Sequence, residues 1–254
     1  MSLWGEAAII LSAFAAGMVN SIAGGGTLIS FPVLVWAGRD PVLANTTSTV
    51  ALWPGSFGGM LGFRREFQGV RRWVMRLGGP SLLGGVVGAL LLLRTPSEVF
   101  AHIVPYLILF ATILMAVQEP ISRRVRNAPN EEPSRRWWAG AIIFQFFVGV
   151  YGGYFGAGIG IIMLAALGFL GLTDLHRMNA LKNFFAICIN GIAAVYFIVS
   201  GAVIWIDVLL MIAASIAGGY FGASLAYKLG RRFVRYAVII IGLTMAVSLF
   251  LLRK

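Results

Sequence analysis

Two apolar runs, residues 7–38 and 137–172, are longer than a membrane needs. As a straight helix each would measure roughly 50 Å at 1.5 Å per residue, against about 30 Å of bilayer hydrocarbon. Each is also interrupted near its middle by glycine: Gly24-Gly25-Gly26 in the first, and Gly156-Ala157-Gly158-Ile159-Gly160 in the second. Six further apolar runs, 43–62, 77–93, 99–118, 178–200, 207–227 and 233–252, have ordinary single-span length. Of the 254 residues 59% are hydrophobic and 11% charged, with a mean hydropathy of +0.88. A soluble domain carries about a quarter charged residues to cover its surface. The chain reads as an all-α polytopic membrane protein, with no segment left over for a folded soluble domain. Its first residues, MSLWGEAAII, lack the basic region of a cleaved signal peptide.

The two glycine breaks belong to a longer series of matches. An offset of 132 residues pairs Gly17 with Gly149, Gly24 with Gly156, Gly26 with Gly158 and Ile29 with Ile161. An offset of 134 pairs Asn45 with Asn179, Gly84-Gly85-Val86-Val87-Gly88-Ala89 with Gly218-Gly219-Tyr220-Phe221-Gly222-Ala223, and Arg94 with Lys228. Glycine is abundant, at 32 residues, so a single match carries little; the ordered series carries more. It implies two repeats, 1–121 and 137–254, of four helical segments each, about eight transmembrane segments in all. The polar, proline-containing stretch 122–136 joins them.

Charge sets the expected topology. The formal net charge is +11, and most of the arginines crowd into 63–76, 122–136 and 228–235. The 201–206 loop, GAVIWI, has no basic residue. If each overlong run crossed once, the third basic loop would lie opposite the other two, against the tendency of Lys and Arg to remain cytoplasmic. If each run instead dips in, breaks at its glycines and returns as a hairpin, all three basic loops face the cytoplasm and both termini face outward. A hairpin that crosses fully twice gives the same parity. Either way each half makes an odd number of net crossings, so the second repeat is inverted relative to the first, a recurring transporter plan. The basic balance is then a membrane-orientation signal, and no nucleic-acid partner is implied.

A break in a membrane helix survives only where protein or water satisfies its freed backbone groups. A helix that starts just after the break aims its unpaired N–H groups and partial positive charge into the protein, and can hold an anion without any formal charge. The candidates at the first break are Asn20, Ser21, Gly24, Gly25, Gly26 and Thr27; at the second, Gly156 and Gly158. By contrast, Gly84xxxGly88 and Gly218xxxGly222 have no polar neighbours and read as close-packing faces. The second segment opens with a polar cluster, Asn45, Thr46, Thr47, Ser48 and Thr49, of which Asn45, Thr46, Thr47 and Ser48 are the anion-site candidates. Five such residues in a row exceed what capping needs. The matching segment carries Asn179, Lys182 and Asn183. A charge a few residues into a membrane helix usually faces a cavity or a partner, although a lysine stem also lets the charge snorkel to the interface. Asp174 and Asp207, the acidic residues of this half, sit near loop ends and are not obvious intramembrane partners for Lys182. Asn190, close by position to the counterpart of the Pro54-Gly55 kink, lies mid-helix and is a further path-lining candidate; Tyr151 and Tyr154 precede the second break and serve equally as hydroxyl donors or packing.

An intramembrane enzyme needs a nucleophile with its base, an aspartate pair or a metal-ligand cluster. The chain offers only His102 and His176, no HExxH and no phosphate-binding Gly-Lys-Ser/Thr loop, so neither an enzyme, a metal centre, a cofactor nor a self-contained ATP-driven pump is expected. Cys188, the lone cysteine, reads as a packing residue. A carrier for a small anion is the leading reading; an anion channel, or a non-transporting assembly factor with a polar-free interior, are the alternatives. A homo-oligomer and a coupling ion, proton or sodium, stay open.

GMVNSIAGGGTLISFPVL followed by ANTTSTVAL, with GVYGGYFGAGIGIIML and NALKNFFAICING as a second copy, resembles the sulfite exporter TauE/SafE family of bacterial membrane permeases. The resemblance covers both halves. It implies a multi-pass inner-membrane transporter of small anions: sulfite, sulfonates or related organic acids. The second copy departs from the family pattern, with Gly-Ala-Gly where three glycines are expected and Ala180-Leu181-Lys182-Asn183 where small hydroxyl residues are common.

Overall fold

The computed structural model describes residues 3–22, 24–62, 70–126, 135–170, 172, 174–229 and 231–251, and among them every regular element is an α-helix. The first overlong run yields α1 (Leu3–Ile22) and α2 (Thr27–Trp36); α3 (Pro41–Gly62), α4 (Arg71–Arg94) and α5 (Ser97–Arg126) follow. The second yields α6 (Arg135–Tyr154) and α7 (Ile159–Phe169), followed by α8 (Leu175–Val199), α9 (Trp205–Leu229) and α10 (Arg231–Leu251). Eight expected segments thus become ten helices, because each overlong run is split at its glycines.

The two splits open with the same turn and close differently, since Gly26 before α2 is right-handed at φ −58° and Gly158 before α7 is left-handed at φ +72°. Gly24 takes φ +76° and Gly156 φ +74°, a left-handed conformation that a side chain disfavours. The Gly24 amide donates to Val19 O and the Gly156 amide to Tyr151 O, each at 3.2 Å and five residues back, closing the preceding helix. The chain then turns back beside the helix it has left. A Cβ on Gly26 would overlap the carbonyl oxygen of Ala16 in α1, and one on Gly152 would overlap the Ile159 side chain of α7.

Glycine also sets the closest helix contacts. A Cβ on Gly84 would overlap Phe146 O and one on Gly88 would overlap Val150 O, so α4 and α6 run parallel with backbones touching. The corresponding contacts of α9 with α1 are Gly218 against Phe14 O and Gly17 against Ser215 O. They are the pairs Gly84–Phe146 and Gly149–Ser81 displaced by 134 residues in α4/α9 and 132 in α1/α6. The other pairings respect the same exchange: α3 packs on α9 as α8 packs on α4, α2 on α3 as α7 on α8, and α5 on α10. Each half is therefore interleaved with the other.

Large apolar side chains lie on the surface, and a set of polar side chains is buried within the apolar interior. Leu11, Leu83, Phe147, Leu209 and Ile240 are each more than 60% exposed, whereas Ser12, Ser30, Asn45, Ser81, Gln145, Lys182, Asp207 and Ser215 are buried. That polarity suits hydrocarbon as the surrounding solvent and is that of a membrane protein. By length and composition alone, Arg71–Arg94 and Arg177–Val199 could each cross a membrane. Buried polar groups bond across helices, as Gln145 Nε2 does to Ser81 Oγ at 2.8 Å.

The ends of α2, α3, α8 and α9 are fastened together. Arg39, between α2 and α3, forms a two-point ion pair with Asp207 in the first turn of α9, at 2.7 and 2.9 Å. Thr46 donates to Ala202 O, and the Ile204 amide donates to Thr47 Oγ1. The basic stretch 63–69 and the centre of the linker, 127–134, lie outside the described residues.

Candidate functional site

The tips of the two hairpins meet inside the protein. A Cβ built on Gly24 would lie 3.3 Å from Gly160 Cα. Beside this contact is a cavity of about 50 Å³, closed by α3 on one side and α8 on the other. From the breaks it receives Asn20, Gly24, Thr27, Gly156, Ile159 and Gly160. From α3 come Thr49, Leu52, Trp53, Gly55 and Ser56, and from α8 Lys182, Asn183, Ala186 and Asn190.

Local structure leaves hydrogen-bond donors here. The helices α2 and α7 begin at Thr27 and Ile159, and neither has a side-chain cap on its first turn. Asn20 Oδ1 accepts from the Gly26 amide at 2.9 Å, and Gly156 O accepts from the Ile159 amide at 3.2 Å. The Thr27 and Gly160 amides have no acceptor among the described residues. Two helix N-termini therefore point their positive ends toward one small volume. Lys182 adds a formal charge. It lies seven residues into α8, about 10 Å along the axis, and is only 4% exposed. That burial disfavours snorkelling to the rim. Asn183 and Asn190 stand seven residues apart on the same face of α8, as Thr49 and Ser56 do on α3.

The sequence candidates divide between the cavity and its surroundings. Asn20, Gly24, Thr27, Gly156, Lys182 and Asn183 line it. Gly25 and Gly26 are buried in the turn behind it, and Gly158 faces Ala111 of α5. The Asn45 amide donates to Tyr154 O at 3.0 Å, bracing the end of α6. Thr46 and Thr47 hold the 202–204 loop, and Ser48 bonds Ser30 at 2.6 Å. Asn179 is half-buried and outside the lining, and the Ser21 side chain lies outside the described residues. Thr49, Trp53, Ser56 and Gly160 were not among the sequence candidates. The offset of 134 could have found two of them, since it pairs Thr49 with Asn183 and Ser56 with Asn190. Among the described residues no three His, Cys, Asp or Glu side chains gather to hold a metal ion.

Chemically the cavity offers amide, hydroxyl and carboxamide donors and one ammonium in a small, largely enclosed space. That is an environment for an anion with few heavy atoms.

Comparison with known proteins finds membrane transporters. The chain is 27% identical over 239 residues to a probable membrane transporter protein of Haemophilus influenzae, covering 93% of this chain and 91% of that one. It is 27% identical over 245 residues to the probable membrane transporter protein YfcA of Escherichia coli K12, covering 93% and 86%. Identity is again 27%, over 243 residues, to the probable membrane transporter protein ORF9 of a Sinorhizobium species, covering 95% and 90%. No solved structure matches the chain. The family model described as sulfite exporter TauE/SafE matches residues 9–249, nearly the whole length, and the chain belongs to that family.

Proposed function

We propose that the protein is a transporter that carries a small oxyanion, sulfite or a short sulfonate, across the bacterial inner membrane through the cavity between its two hairpin tips. The observation that carries this reading is the convergence of both glycine breaks and Lys182 on one cavity. Its size favours a small substrate: about 50 Å³ holds a few water molecules, hence an oxyanion or a sulfonate head group, and a larger acid would need the site to open.

The architecture supports alternating exposure of that site. In this reading the halves are inverted repeats, with 63–76, 122–136 and 228–235 cytoplasmic and 201–206 external. Three features favour it: the matched turns at Gly24 and Gly156, the exchanged contacts Gly84–Phe146 and Gly218–Phe14, and the Arg39–Asp207 pair, which ties the return of the first hairpin to the start of α9. An inverted pair of repeats lets the same contacts be made with either face open.

Anion flux into proteoliposomes, with sulfite and short sulfonates as substrates, tests the proposal. At an effective dielectric near 20 and about 4 Å, an ammonium attracts an anion by about 4 kcal/mol before desolvation. A net of about 1–3 kcal/mol is then expected. Lys182→Met should raise the half-saturation concentration roughly ten- to a hundredfold. Lys182→Arg should do less, though not nothing, because the guanidinium is larger and planar. Absence of flux for every anion tried would refute the transport reading. Wild-type half-saturation in Lys182→Met would remove Lys182 from the site.

A further inference from the structure

We propose that the second glycine break also binds a small monovalent cation, sodium in size and charge, held by Asn190 Oδ1 and Gly152 O. Beyond Gly156 and its two chain neighbours, the atoms within 4 Å of a Cβ built on Gly156 are both oxygens: Gly152 O at 3.1 Å and Asn190 Oδ1 at 3.6 Å. Neither oxygen has a donor among the described residues. Asn190 Oδ1 is buried with no hydrogen-bond partner among the described residues. Gly152 O is left open because the amides of Phe155 and Gly156 both turn to Tyr151 O, at 2.9 and 3.2 Å. Two acceptors therefore flank the same side of Gly156 at the C-terminal, negative end of α6. A third unpartnered oxygen, Asn45 Oδ1, belongs to the side chain whose amide is fixed to Tyr154 O in the same turn.

The ligand chemistry selects the ion. Amide and carbonyl oxygens without a carboxylate suit a singly charged cation, because calcium and magnesium sites take carboxylates into their shells. The first break offers no equivalent: a Cβ on Gly24 meets Gly160 Cα at 3.3 Å and Gly160 N at 3.7 Å, and no oxygen. The cation would lie at the end of α6 while the start of α7 addresses the anion. Two opposite charges then share one broken helix, each on the dipole end that favours it. This inference deepens the transport reading and rests on it for its role as coupling ion, though the binding itself does not.

The test uses the full-length protein in detergent and in proteoliposomes. Its thermal unfolding midpoint should rise saturably with sodium chloride and not with choline chloride at equal ionic strength. Anion flux should depend on sodium in the same range. Asn190→Leu should abolish the sodium-dependent shift. Asn190→Asp, which adds a charge at the same oxygen, should lower the sodium half-saturation about tenfold. Lys182→Met should keep the sodium shift while weakening the anion. Equal midpoints in sodium and choline for the unmodified protein would overturn the cation site and leave water bridging the two oxygens. An unchanged sodium shift in Asn190→Leu would place the ion elsewhere and overturn the assignment. A sodium shift without flux of any anion would instead overturn the transport reading and leave the cation site standing.

Discussion

Breaking the Arg39–Asp207 pair should cost more stability than any other single charge removed at this end of the bundle. The Asp207 side chain is fully buried and that of Arg39 is 20% exposed, with Nε and Nη2 donating to its two oxygens at 2.7 and 2.9 Å. Removing one member of a buried pair typically costs about 3–5 kcal/mol, because the other is left charged and unsolvated. The partial exposure of Arg39 lets water or lipid head groups reach the site, so Arg39→Met is expected to destabilise by about 2–3 kcal/mol. In Asp207→Leu the arginine can turn toward the rim, and about 1 kcal/mol is expected. The double variant should then lose less than the sum of the two, with a coupling energy of about 1–2 kcal/mol. Denaturant unfolding of the four proteins in one detergent measures all three quantities. A coupling energy indistinguishable from zero, with each single variant near the wild type, would refute the idea that this pair fastens the first hairpin to α9.

Two further expectations follow from packing and from charge. Gly84→Ala and Gly88→Ala each place a Cβ into backbone oxygen of α6, which cannot swing aside, so both should sharply reduce the yield of folded protein, whereas Gly78→Ala in the same helix meets nothing within 4 Å and should be neutral or slightly stabilising, by up to about 1 kcal/mol; gel-filtration recovery of the three variants decides it. With Cys188 replaced, a cysteine at position 201 should react with an impermeant reagent on intact cells while one at position 130 should not, and the reverse pattern would overturn the proposed sidedness.

The helix breaks were legible because length and glycine together leave few options: a 32-residue apolar run is too long for one straight span, and glycine, free of a Cβ, readily takes the positive φ found at Gly24 and Gly156. The close-packing role of Gly84 and Gly88 was equally legible from spacing. Partnership was not. The polar run Asn45 to Ser48 looks like a binding surface in one dimension, but its residues point to different sides of α3. There Thr46 and Thr47 meet the 202–204 loop, Ser48 meets Ser30 and Asn45 meets Tyr154 O. Those partners are up to 157 residues away along the chain, beyond any local pattern. For the same reason the Arg39–Asp207 pair, 168 residues apart, could not be read as a pair.

What the repeat shares and what it does not divide the molecule's work. Gly24 and Gly156 match, Thr49 matches Asn183, Ser56 matches Asn190, and all six line the cavity, so the two halves build its walls alike. The charge breaks the match. Ser48 stands where Lys182 stands in the other half, and it is bonded to Ser30, whose own counterpart is the apolar Ile162. The Ser30–Ser48 hydroxyl pair lies outside the cavity lining, whereas Lys182 is part of it. The oxygens left open at Gly152 and Asn190 fall on the second half as well. Matched positions thus line both sides of the cavity, and the difference between the halves places the ammonium on α8. If that division is right, the substrate preference of a relative should follow the residues at 182 and 190 more closely than those at 48 and 56, and exchanging the two positions between relatives of different preference would move the preference with them.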